Sequence, residues 1–476
     1  MSGSVLLFVL AAAGPWPTLE RSFDAQPLAV VEIPDASKSL QTLERSSFRR
    51  WIPLLLGKDA SVVRGASLRL LTAWYGTLNG VRPDLVLSTD VQRQSAGVRD
   101  MMTRWWRQLG LSPDSPVSDG GWVYQPLRGD LGQVTVASHE SKGRVGWAFD
   151  PAKAKGFGEK HSKSLAEDEA FRTMVSYAPR SELRGLIHVP RMFGWLLKQP
   201  RGDVAARRIT RLGLAGMQVT PFAIELPNRR EARISAESVL RGDLRGAVSA
   251  LGPSVSTQWP DYVPTDARGF VEASVIPAHV LRAVFFYLSA ENPLQLTLIQ
   301  AQLSALENQV GKGLDADVLG SGAKRWTLYV DKRGVPVGRL ELADPQGAKA
   351  LAEAAFRAFP SLAPKEAQWG DVSGFRVQTP SGKGAVAFGP NAIWMSLDEA
   401  GLKRALRVEA PDEKPTLLVP GEGVLFGQGD DLLRGVATVL RLPSTTDRTT
   451  DHSGFRIERD RVSGGAKFVF HGRVRR

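Results

Sequence analysis

Residues 325–359 read RWTLYVDKRGVPVGRLELADPQGAKALAEAAFRAF. Arg325–Val330 and Val335–Leu342 have the β-branched and aromatic content of strands. Asp331–Gly334 between them makes a hairpin turn, with glycine supplying the positive φ such turns need. Asp344 is placed to cap a following helix, and Pro345 suits its first position because the missing N–H would be unpaired there anyway. Ala348, Leu351, Ala352, Ala355, Phe356 and Phe359 then recur at helical spacing and form one apolar face. That face needs a sheet or another helix to cover it. The expected fold class is therefore α+β, with repeated mixed units of antiparallel sheet covered by helices.

The same reading extends in both directions. Phe375–Gln378, Ala385–Phe388 and Ala392–Met395 read as strands, and Ser396 with Glu399 reads as a capping box opening a helix that carries Leu402, Ala405 and Leu406. Val424–Phe426 reads as a further strand, with Asp430 or Asp431 capping a helix to Leu440. Upstream, a strand runs through proline into an apolar helix three times: Leu28–Ile33 with Pro34, Leu186–Val189 with Pro190, and Val271–Ile276 with Pro277. The recurrence suggests a repeated unit, and its unequal spacing implies insertions. Long apolar runs alternating with crossover helices, the mark of a doubly wound parallel sheet, are less evident.

Gly313–Leu314–Asp315 before a strand, Leu340–Asp344 followed by Pro345, and the strand pair and helix of Ala385–Leu406 give the chain a family likeness. In Glu307–Val330, Val337–Phe359 and Gly384–Leu406 it resembles an exported bacterial domain family of unknown function built from repeated α+β units. The resemblance implies an envelope location and this architecture. It supplies no catalytic residues.

Among 476 residues, 43% are hydrophobic and 23% charged, which excludes general disorder. The length suits two or three domains. The expected division is a possible signal peptide over 1–13, an N-terminal α+β domain over 14–260 and a C-terminal α+β domain over 261–476. Val5–Ala13, VLLFVLAAA, is as long as a signal-peptide core and offers an A-x-A site at Ala11 and Ala13, although no basic residue precedes Val5. It is far shorter than the roughly 20 apolar residues a bilayer span requires. A periplasmic or extracellular location follows as the expectation, with a cytoplasmic one as the alternative.

The absence of cysteine excludes disulfides, thiolate nucleophiles and cysteine-ligated metals. The six histidines are widely separated and form no HExxH; no GxSxG elbow occurs, and Gly311–Gly313 and Ser381–Gly384 complete no phosphate-binding loop. No cofactor and no metal are expected. Trp51, Trp74, Trp105, Trp106 and Trp195 occur in helical-looking amphipathic runs, where core packing is the ordinary role and an apolar groove the functional one. Trp51, Trp105, Trp106 and Trp195 are the groove candidates. His188, just before a helix start, is the histidine placed best for a site.

Sixty-one Lys and Arg against 49 Asp and Glu give a formal charge of +12, which favours anionic neighbours. Arg207, Arg208 and Arg211 form a candidate anion face, and Arg456 to Arg476 a second basic stretch, both interrupted by acids. The expected function is an exported, noncatalytic binding or interaction protein of the bacterial cell envelope. Its partner would be a protein, a lipid or an anionic polymer. A cell-envelope hydrolase and a cytoplasmic anion or nucleic-acid binder are the alternatives. A carboxylate or serine within hydrogen-bond reach of His188 would favour the hydrolase, and an apolar groove would favour binding.

Overall fold

The computed structural model describes residues 26–46, 68–77, 80–89, 92–129, 132–139, 143–156, 164–200, 202–242, 246–358, 364–379, 382–407, 413–430, 452–462 and 465–475. The leader-like run, Trp51 and the helix expected to reach Leu440 lie outside them. The first half of the chain contributes β1 (Ala29–Ile33), β2 (Leu68–Thr77), β3 (Gly80–Thr89), β4 (Ser112–Pro113), β5 (Val117–Asp119), β6 (Trp122–Gly129), β7 (Gly132–His139), β8 (Arg144–Ala148), β9 (Leu183–His188), β10 (Val219–Asn228) and β11 (Glu231–Arg241). After the short β12 (Val255–Thr257), the second half contributes β13 (Gly269–Val275), β14 (Lys324–Val330), β15 (Pro336–Glu341), β16 (Lys365–Trp369), β17 (Val372–Thr379), β18 (Gly382–Phe388), β19 (Ala392–Ser396), β20 (Gly421–Gly423), β21 (Leu425–Asp430), β22 (His452–Val462) and β23 (Gly465–Arg475). Every ladder is antiparallel, so the protein is a mixed α+β fold of repeated sheet and helix units.

The ladders reveal a duplication. The first half is ordered β5-β6-β7-β8-β3-β2-β1-β9-β10-β11, with β4 also beside β6. The second is ordered β16-β17-β18-β19-β15-β14-β13-β21-β22-β23. β11 then pairs with β23 and joins the halves into one sheet. Superposing the matching hairpins, Gly129↔Gly132 on Thr379↔Gly382, fixes a register that can be stepped across every ladder. The steps bring Glu32 onto Glu272, Arg69 onto Arg325, Gly185 onto Gly427 and Phe222 onto Phe455. At the junction they bring Ser235 onto His471, its own ladder partner, so a pseudo-twofold axis passes between these two residues.

The shared side chains explain why the register repeats. Glu32 and Glu272 are both fully buried, and each binds the arginine at the same diagonal position on the next strand, Arg69 at 2.6 Å and Arg325 at 3.3 Å. A Cβ on Gly185 would meet the Phe222 ring at 2.3 Å, and one on Gly427 would meet the carbonyl oxygen of Phe270 at 2.4 Å and the Phe455 ring at 3.1 Å. Each glycine thus makes room for a cross-strand ring, a packing that compensates for its missing side chain. The three strand–proline–helix passages all occur, but they are not three copies of one unit. β1 and β13 are equivalent, whereas β9 matches β21.

Local signals were met unevenly. Gly334 holds φ at +85° and its N–H reaches the Asp331 carbonyl at 2.9 Å, closing the turn between β14 and β15. Asp344 caps helix Pro345–Ala358 through the N–H of Gly347 at 2.8 Å. The expected capping box at Ser396 is corrected: Ser396 ends β19, and Asp398 caps helix Glu399–Ala405. Asp430 likewise ends a strand, and Trp74 sits in β2 rather than in a helix.

Helices cover both faces of the first half. Val98, Met102 and Trp106, spaced one turn apart on helix Gln92–Gln108, pack on Val136, Val145 and Trp147. Phe171 and Met174 of helix Glu169–Tyr177 pack on Val30, Leu71 and Leu186 from the opposite side. In the second half Leu351 of Pro345–Ala358 joins Val318 and Leu342, while Trp259 and Val263 of the linking segment close over Phe270 and Phe426. The seam strands are covered less. On one seam face Glu231 meets Arg233 at 2.8 Å, Arg473 at 3.2 Å and Arg475 at 3.3 Å, and Lys467 meets Glu237 at 2.9 Å.

Candidate functional site

The end of β9 opens into a cavity of about 600 Å³, lined in part by Gln26, Asp168, His188, Arg191, Gln218 and Arg241. Asp168 is held in its wall because it caps helix Glu169–Tyr177, its Oδ1 accepting from the N–H of Ala170 at 2.9 Å. Its Oδ2 accepts from Arg191 at 2.6 Å and from the N–H of Gln26 at 3.2 Å. Burial pushes this carboxyl up, but the Arg191 hydrogen bond and charge and the two backbone N–H groups outweigh it and hold Asp168 below the usual aspartate range. Gln26 sits at φ +73°, a left-handed conformation costly for a residue with a Cβ.

His188 caps helix Val189–Leu196, where Pro190 occupies the first turn, and its Nδ1 accepts from the N–H of Arg191 at 3.3 Å. Burial first, and then the Arg191 charge, hold the imidazole below the usual histidine range. An accepting Nδ1 in a neutral ring leaves the proton on Nε2. His188 thereby stands in the cavity wall beside Arg191. Asp168, saturated by three donors, is already committed to Arg191 and to its helix cap.

A second feature lies on the helices. Gly202–Arg211 packs against Val189–Leu196 and against Pro277–Glu291, which turns at Asn292 into Pro293–Val310. Leu306 and Val310, near the far end of this hairpin, pack in a core cluster. Near its turn the pattern reverses: Leu294 is 79% exposed and Leu298 64%, one helical turn apart, with Phe286, Val284 and Tyr287 also exposed. Residues 283–306 contain a single charged side chain, Glu291. Surface helices ordinarily present charge to water, so such a patch marks an interaction site.

The predicted residues divide between these places. His188 lines the cavity. Arg207, Arg208 and Arg211 lie on the helix bordering the apolar hairpin, with Arg207 bound to Asp203 at 2.7 Å, and half-buried Trp195 is on the helix that packs against it. Trp105 and Trp106 belong to the core: Trp106 is 4% exposed and meets Trp105, Trp147 and Phe149 edge to face at 4.7, 5.1 and 5.8 Å. No single groove gathers the predicted tryptophans among the described residues. The basic C-terminal stretch forms β22 and β23, where Lys467, Arg473 and Arg475 meet acids across the ladder, Arg456 meets Glu458 on its own strand and Arg459 binds the carbonyls of Leu251 and Gly252. Asp168, Arg191, Leu294 and Leu298 were not anticipated. The run 283–306, with Glu291 its single charge, is the signal that could have revealed the leucines.

Among the described residues no helix is long and apolar enough to cross a membrane. No family model, curated protein or solved structure matches the chain.

Proposed function

We propose that the protein is an exported, noncatalytic binding protein of the cell envelope, acting through the helical surface around Leu294 and Leu298. The observation that carries this reading is the exposure of those two leucines, at 79% and 64%, within 24 residues holding one charge. Each exposed leucine is a transfer free energy of about 1.5–3 kcal/mol left unclaimed by the fold and gained when a partner covers it. The engagement of Asp168 by Arg191 and by the N–H groups of Ala170 and Gln26 supports binding over base catalysis at the cavity.

A photocrosslinking residue at position 298, in the full chain expressed from its own start, tests the reading. A covalent adduct in the envelope fraction is expected, with none from the same group at Glu366, exposed on β16. Recovery of an uncleaved cytoplasmic chain that forms no adduct from position 298 contradicts it.

A further inference from the structure

We infer that the partner of the Leu294–Leu298 surface is an anionic lipid bilayer, on which the hairpin Pro277–Val310 lies with its apolar turn in the headgroup region and the arginines of the neighbouring helix pair against lipid phosphates. The inference rests on the binding reading above and names the partner of that same surface.

Composition and placement together argue for it. The hairpin offers Leu294, Leu298, Val284, Phe286 and Tyr287, a mixture of aliphatic and aromatic side chains suited to the boundary between headgroups and acyl chains. Setting aside Arg191, which is bound to Asp168, the adjoining described residues up to 212 hold four cations, Lys198, Arg207, Arg208 and Arg211, against one acid, Asp203, a surplus of three. Helix contact sets that surplus beside the apolar hairpin. In sequence the arginines are diluted by Asp203 and lie more than 70 residues from Val284, Phe286 and Tyr287; the contact of helix Gly202–Arg211 with helix Pro277–Glu291 brings the two segments together.

The charge also decides against a second copy of the chain. A twofold dimer through the hairpin would bring two such basic helix pairs toward each other, and like charges at an interface are destabilising. An anionic bilayer accepts both parts of the surface at once. Near such a surface each Lys or Arg adds about 1 kcal/mol, and the chain's net charge of +12 acts in the same direction.

Cosedimentation of the full chain with vesicles tests the inference, using 30% phosphatidylglycerol in phosphatidylcholine against phosphatidylcholine alone. The anionic vesicles are expected to bind the parent chain about tenfold or more tightly than the neutral ones. Leu294→Glu/Leu298→Glu should weaken binding to both, while Arg207→Glu/Arg208→Glu should abolish the preference for anionic lipid and leave neutral binding unchanged. Since the leader-like run is common to all variants, its own lipid affinity cancels in these comparisons. A variant whose circular dichroism departs from the parent is replaced by Leu298→Gln, or by Arg207→Gln, with the same expected directions. Vesicle binding unchanged in both variants overturns the inference. So does an absence of vesicle binding accompanied by a dimer that Leu294→Glu/Leu298→Glu dissociates. An envelope protein adduct from position 298 without vesicle binding also overturns it, while leaving the broader binding reading intact.

Discussion

The two halves of the sheet keep one ladder order yet satisfy the same buried carboxylate by different means. Glu32 lies between two guanidinium groups, Arg69 at 2.6 Å and Arg184 at 2.7 Å. At the position of Arg184 the second half has Phe426, and at that of Leu71 it has Thr327. Glu272 keeps one arginine, Arg325, and recruits the Tyr262 hydroxyl at 2.5 Å and the Thr327 hydroxyl at 3.0 Å. Burial pushes the Glu272 carboxyl above the usual glutamate range even with these partners. The backbone register survived duplication, whereas the satisfaction of a buried charge was rebuilt from whatever neighbours the new surroundings offered.

The largest expected effect is an asymmetry between these two sites. Glu32→Gln removes the carboxylate charge that two guanidinium groups share and should cost about 3–5 kcal/mol, the range for breaking a buried ion pair. Glu272→Gln keeps an acceptor for both hydroxyls and should cost about 1–3 kcal/mol, the range for a disturbed buried hydrogen bond. Urea unfolding of the two variants measures the difference. Equal losses would mean that the halves do not differ as their partners imply.

The glycine and ring pairs give a smaller contrast. Gly427→Ala drives its new methyl against a carbonyl oxygen at 2.4 Å, where only the backbone can yield. Gly185→Ala meets chiefly the Phe222 ring, which can rotate, although the Val30 carbonyl oxygen stands at 2.8 Å. Overpacking costs about 1–3 kcal/mol, and Gly427→Ala should fall toward the upper end and Gly185→Ala toward the lower. Thermal unfolding of the two variants ranks them.

The smallest effect concerns β9 and its counterpart β21, which end at His188 and Asp430. Because burial and Arg191 lower the His188 pKa from its ordinary 6.5, the unfolded chain takes up a proton there that the folded chain resists. Stability should therefore fall as pH drops through 6.5. Asp168, lowered from 3.8, adds stability above that value that is lost as pH drops further. His188→Asn keeps a helix cap and should flatten the first decline while leaving the second. Unfolding free energies between pH 7 and pH 3 test this, and an unchanged upper slope counts against it.

Much of the fold was legible in short windows. The hairpin at Asp331–Gly334, the cap at Asp344 and the antiparallel character follow from local turn and cap chemistry. The duplication was only hinted at, because equivalent strands are separated by anything from 233 residues, Phe222 to Phe455, to 256, Arg69 to Arg325. Insertions between strands erase a fixed period while leaving each ladder intact. Ser396 misled because a strand end and a helix cap favour the same hydroxyl, and Trp74 because its run fits either periodicity over a short window. The candidate site was legible only in His188 and the arginines. Asp168 and Arg191 meet through tertiary structure, and exposed leucines look like core leucines until the fold shows which remain uncovered.

The two half-sheets meet at a pseudo-twofold axis between Ser235 and His471. Directly opposed residues in an antiparallel ladder lie about 4.5–5.5 Å apart at Cα, within the range a disulfide spans. With no native cysteine to compete, Ser235→Cys/His471→Cys should close an intramolecular disulfide on mild oxidation, detected by mass and by faster migration without reductant. Ser235→Cys/Phe470→Cys, whose second thiol points to the other face of the sheet, should remain reduced. Failure of the first pair to close, or equal closure of both, would contradict the seam and with it the duplicated sheet.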